Sequence, residues 1–81
     1  VLVDKPDFQG RIKILKVHMK NVKMDDDVEI EEIARLTAGL AGADLANVIN
    51  EAALLAGRKS QKTVKQKDLF ESVERAIAGL A

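Results

Sequence analysis

Residues 39–58 read Gly-Leu-Ala-Gly-Ala-Asp-Leu-Ala-Asn-Val-Ile-Asn-Glu-Ala-Ala-Leu-Leu-Ala-Gly-Arg. Wound at about 100° per residue, the stretch gathers Leu45, Val48, Ile49, Ala52, Leu55 and Ala56 on one wide apolar face. Asn47, Asn50, Glu51 and Arg58 fall on the back, with Leu54 standing among them. The pattern predicts a helix over roughly 42–59, the longest of the chain. Gly39 ends the segment before it, since glycine supplies the left-handed residue that closes a helix, and Gly42 opens the new one. So wide an apolar face must be covered by other helices.

The rest of the chain offers three. Asp7 reads as the N-cap of a helix over 8–20, with Phe8, Ile12, Leu15 and Met19 on its core stripe. Lys13, Lys16 and Lys20 form a separate solvated stripe, and Arg11, Ile14 and His18 share the flank between the two. A second helix is expected over 30–37, with Ile30, Ile33 and Leu36 inward and Ala34 beside them. Glu29 and Glu32 give it only an imperfect capping box. The last helix, over 66–78, carries Leu69, Val73, Ala76 and Ile77, with Asp68 in its first turn, Lys65 as a poor cap and Gly79 after it. Ser72 falls on its apolar side while Phe70 is expected to point outward. Between helices, Asn21 to Asp27 reads as a solvated acidic loop, and Val64 as a brief extended contact. The opening Val1-Leu-Val-Asp4 looks like the end of a strand, cut by Lys5-Pro6. The expected fold is all-α: a compact four-helix bundle over 7–81, behind a short extended segment and connector at 1–6.

Composition removes several functions. The 81 residues hold 13 basic and 13 acidic side chains and no cysteine, so there is no general attraction to nucleic acid and no thiolate site. An 81-residue chain has a radius of gyration near ~12 Å, too small for a deep catalytic cleft plus a second domain. No apolar run approaches the ~18 residues of a membrane span, so direct membrane contact is not expected. There is no phosphate loop, no H-E-x-x-H, and no base near Ser60 or Ser72. Asp25-Asp26-Asp27 lacks the glycine and terminal glutamate of a calcium loop. The sequence names no catalytic residue and no metal ligand. A helix-turn-helix reading also fails, because the third helix carries cations only at its end, Arg58 and Lys59.

Residues 39–58 closely resemble the helical lid, the small C-terminal subdomain, of AAA-type ATPases. Asp4-Lys-Pro-Asp-Phe-Gln-Gly-Arg-Ile-Lys-Ile-Leu-Lys-Val-His18 resembles the opening helix of that lid in register. Asn47, Asn50 and the ending Glu74-Arg-Ala-Ile-Ala-Gly79 are similar to the FtsH family of membrane-anchored ATP-dependent zinc proteases. The resemblance covers essentially the whole chain.

That resemblance implies a nucleotide-responsive lid, inactive alone, with ATP or ADP (and Mg in the parent) bound between it and a large α/β domain. Zinc would belong only to a separate protease domain. Ile14, His18, Gly42 and Ala43 match the family positions beside the adenine side of the nucleotide. Ile14 would offer dispersion to the ring, His18 an imidazole edge, and Gly42 a close backbone approach. Ala43 stands where other branches carry a sensor arginine, so no cation from here would reach the phosphates. Arg11 is read as a tether to a neighbouring carboxylate, and Leu54 as a contact with the adjacent subunit. The implied partners are the large domain of the same chain, the neighbouring subunit of a homohexamer, and protein substrates. The implied location is the cytoplasmic side of the inner or plasma membrane in a bacterial parent, or its organelle equivalent. Ala41 departs from the family's serine N-cap, a change that costs a helix about 0.5–2 kcal/mol. Two alternatives stand beside this reading: the lid of another AAA unfoldase, and a free-standing helical adaptor docking through Leu54 and Phe70.

Overall fold

Asp7 starts the structure's first helix as its spacing requires: its carboxylate accepts the Gly10 N–H at 2.8 Å, closing the open end of α1 (Phe8–Met19). The structure is a computed structural model describing residues 5–79; the strand expected over 1–4 lies outside the described residues. Three more helices follow: α2 (Ile30–Leu36), α3 (Gly42–Arg58) and α4 (Gln66–Ala78). Among the described residues the only extended pairing is a single parallel bridge between Met24 and Val64. The architecture is the all-α bundle that the apolar periodicity predicts, with a radius of gyration of 11.9 Å.

The third helix is the centre of the bundle. It packs on α4 and on α1, while α2 joins α1 and α4. All six apolar residues expected on its inner face are buried, and all but Leu55 join Leu15, Ile33, Ala34, Leu40, Val64, Leu69 and Val73 in one core cluster. Gly39 sits at φ +91° in the α2–α3 turn, a conformation that costs other residues about 1–2 kcal/mol. Leu40 can thereby turn back into the core directly after it.

Four side chains depart from the expected pattern. Leu36 is exposed, not inward. The buried arc of α2 runs through Ile33, Ala34 and Thr37, and Leu36 lies about 100° away from its centre. Thr37 enters the core because its hydroxyl donates to the carbonyls of Ile33 and Ala34, at 2.9 and 3.1 Å. Ile77 is likewise exposed, in the last turn of α4 and about 110° from the centre of the arc of Asp68, Leu69, Ser72 and Val73. Phe70 does not point outward: it is half-buried and packs against the core, its ring long enough to fold back over the rim. An adaptor surface built on Phe70 loses that anchor.

The acidic loop is more than solvated charge. Strands of loop 21–28 and 60–65 are laced by Asp25 N–H to Val64 O and Val64 N–H to Lys23 O, both 2.8 Å. The Thr63 hydroxyl donates to Asp25 at 3.0 Å, and Asp27 accepts the Gln66 N–H at 3.2 Å, at the open end of α4. The Thr63 hydroxyl, then the Asp27 N–H, holds the Asp25 carboxyl below its ordinary value. Gln66 and Glu29 exchange two further bonds: the Gln66 Oε1 accepts the Glu29 N–H and the Gln66 Nε2 donates to the Glu29 carbonyl, which ties the start of α2 to the start of α4.

Candidate functional site

The residues singled out at the nucleotide side come from two helices. Ile14 and His18 lie one turn apart on α1, so they share a face. Gly42 and Ala43 are the first two residues of α3. A side-chain carbon built on Gly42 would sit 3.7 Å from the Ile14 Cδ1, so the isoleucine lies against the glycine backbone. Ile14 and Gly42 are half-buried, whereas His18 and Ala43 are exposed. The structure thus brings Ile14 against the N-terminus of α3 at Gly42, with His18 one turn further along α1 and Ala43 next in α3.

That N-terminus is electrostatically open. Ala41 has no side-chain acceptor for the first amides of α3. Only half of a cap forms, with the Asp44 carboxylate accepting the Ala41 N–H at 3.2 Å. The amides of Gly42 and Ala43 therefore carry the positive end of a helix of 17 residues. Such a patch can receive a flat, weakly polar group by dispersion and edge hydrogen bonds. It offers no cationic side chain. Leu54 is 49% exposed on the back of α3, as its position among asparagines predicts. A wider concavity of about 420 Å³ runs between α3 and α4, lined by Asn47, Glu51, Ser72 and Arg75 among others.

Arg11 is where the expectation fails. Only 8% exposed, it turns its side chain inward from the flank of Ile14 toward α2 and the connector. Among the described residues it meets carbonyls and not a carboxylate: Nε donates to Ala34 O at 2.7 Å and Nη1 to Pro6 O at 3.0 Å. The guanidinium lies 5.9 Å from the centre of the Phe8 ring.

The polar centre that the sequence concealed is Asp68. It is fully buried and accepts three donors: Lys59 Nζ at 2.9 Å, Gln61 Nε2 at 2.7 Å and the Lys65 N–H at 2.9 Å. Burial pushes its carboxyl upward, but the bonds from Lys59, Lys65 and Gln61 outweigh that and leave it below the ordinary value. The same bond holds the Lys59 ammonium above its own. Lys65-Gln-Lys-Asp68 did carry a signal, an acid three residues after a cap position, which reaches back to the cap N–H. The inward turn of Lys59 and Gln61 carried none. Among the described residues no three His, Asp or Glu side chains gather into a group that could hold a metal.

Residues 27–71 match the AAA+ lid domain family. Over 80 residues, 99% of this chain, it is 74% identical to the ATP-dependent zinc metalloprotease FtsH of Helicobacter felis, covering 12% of that protein. It is 72% identical to the same-named protein of Helicobacter pylori, and 55% to FtsH 4 of a Synechocystis species, covering 13% of each. The chain thus spans roughly an eighth of the length of these relatives. With its four helices in the order the motifs require, the chain belongs to the AAA+ lid domain family, in its FtsH-like form.

Proposed function

We propose that this lid closes on the adenine side of ATP or ADP, and that Ile14, His18, Gly42 and Ala43 form the contact surface. The observation that carries the reading is the approach of Ile14 to Gly42, which makes one patch of two segments 28 positions apart in sequence. On this reading the patch would receive one edge and face of a purine. It has an apolar side chain for the ring, an imidazole for the rim and free amides at a helix start. The phosphates, with Mg, would be held by a large α/β domain of the same parent protein. The bound nucleotide supplies phosphate-bond energy to that parent.

What the chain's own residues do is sense and transmit. A rigid bundle whose patch has different affinity for ATP, ADP and an empty site takes different orientations in the three states. Leu54, exposed on the back of α3, would meet the neighbouring subunit of a homohexamer and pass that orientation on. The relatives are named ATP-dependent zinc metalloproteases. In a parent of that kind the movement would drive protein substrates toward a zinc peptidase supplied by another part of the protein. No helix among the described residues is long and apolar enough to cross a membrane. An FtsH-like parent would carry this lid on the cytoplasmic face of a bacterial membrane.

The test is a ¹H–¹⁵N chemical-shift titration of this chain with ADP. Shifts should concentrate on Ile14, His18, Gly42 and Ala43. Perturbations confined to Asp68–Ile77 that spare those four positions refute the assignment.

A further inference from the structure

Burying a guanidinium is costly, and among the described residues no acid lies within ion-pair distance of Arg11. Its compensation is two backbone carbonyls in different parts of the fold. Ala34 O, in the last turn of α2, also receives the Thr37 hydroxyl, so it is fixed from the bundle side. Pro6 O belongs to the connector that enters α1. The diverging donors of a planar guanidinium reach both at once, which the single point charge of a lysine does poorly.

The connector is also held by packing. A side-chain carbon on Gly10 would come within 3.0 Å of both Pro6 Cβ and Asp7 Oδ1, so proline rests directly on the first turn of α1. Asp7 adds two bonds, accepting the Gly10 N–H on its carboxylate and the Arg11 N–H on its carbonyl, each 2.8 Å. Proline fixes its own φ, removing one of the remaining freedoms.

We infer that Arg11 is a positioning residue that locks Pro6–Gly10 onto the bundle, so that these residues move with the lid as part of one rigid body. This purpose rests on the reading of the chain as a nucleotide lid. The lock itself is read from this chain's own contacts.

Amide hydrogen exchange on this chain tests it, comparing wild type with Arg11→Met and Arg11→Lys. In Arg11→Met the Gly10 and Arg11-position amides should exchange at least about tenfold faster, beyond the common factor shared by α3 and α4, through local opening of the first turn. Arg11→Lys should restore part of that protection. A loss at those two amides no greater than the factor shared by the whole bundle overturns the inference, since it makes Arg11 a general packing residue. A second readout needs no variant: in wild type the Arg11 guanidinium protons should be resolved and slow to exchange, unlike those of exposed Arg35 and Arg58. Arg11 protons exchanging as fast as those two overturn it as well. Neither readout involves nucleotide, so an ADP titration that spares Ile14 and His18 would remove the proposed function and leave the lock standing.

Discussion

Asp68→Ala should remove a large part of the stability of this domain. The carboxylate is fully buried and accepts an ammonium, a side-chain amide and a backbone N–H. Bonds to a charged acceptor contribute about 1.5–3 kcal/mol each, and three at the low end come to about 4–5 kcal/mol. Part of this is offset: alanine relieves the cost of burying a charge, and Lys59, 38% exposed, can return to water. The net loss should be about 3 kcal/mol, against a total of roughly 4–12 kcal/mol for a chain of this length. Thermal unfolding by circular dichroism should then show a midpoint lowered by about 12–24 °C. The pH dependence has a definite sign. Asp68 is held below its ordinary pKa, so its contribution is present above the unfolded carboxylate value and disappears as pH falls through the folded one. The gap between wild type and variant should therefore narrow below about pH 4. A loss under about 1 kcal/mol at neutral pH, or a gap that widens in acid, would refute the view that this carboxylate ties α3 to α4.

Four further outcomes are expected. Ala41→Ser should raise stability by about 1 kcal/mol in urea titration, because its hydroxyl supplies the acceptor that the α3 N-terminus lacks. Gly39→Ala should cost about 1–2 kcal/mol although nothing crowds the site, because the penalty lies in the backbone at φ +91°. Thr63→Val should raise the Asp25 pKa toward its ordinary value, read from the carboxyl carbon shift against pH, since the hydroxyl is the main cause of its depression. Gly42→Ala should leave the melting temperature nearly unchanged, its new carbon meeting Ile14 Cδ1 at an ordinary 3.7 Å, and yet weaken the ADP-induced shifts at Ile14.

Helix positions were legible because each one carries a strong local signal. The six-residue apolar face of α3, the Asp7 cap and the Gly39 stop each agree with the observed helix bounds to within a residue or so. Periodicity places a residue on an arc but not the edges of that arc, which depend on where the partner helices end. That is why Leu36 and Ile77 were expected inside, and why Phe70 was expected outside. Long polar side chains were the least legible. Arg11, Lys59 and Gln61 can turn either way from their Cα positions, and the choice is made by carbonyls and a carboxylate far off in sequence. The patch of Ile14 and Gly42 was legible only through the resemblance to a family. Nothing in a helical period says that residue 14 meets residue 42.

The buried polar residues show why a bundle of this size can act as one body. Every buried side-chain nitrogen and oxygen among the described residues has a partner. Those partners join elements that apolar contact alone would let slide. Arg11 ties the connector to α2, Asp68 ties the end of α3 to the start of α4, and Asp25 with Asp27 ties the first loop to the last. An aliphatic core is nearly indifferent to small rotations of its helices, because dispersion is not directional. Hydrogen bonds to buried acceptors are directional, and an unmade one costs about 1–3 kcal/mol. Each tie therefore fixes an angle as well as a distance. The four residues of the proposed contact patch take part in none of the side-chain ties, so under the proposed function a ligand would be gained or lost there without loosening the bundle.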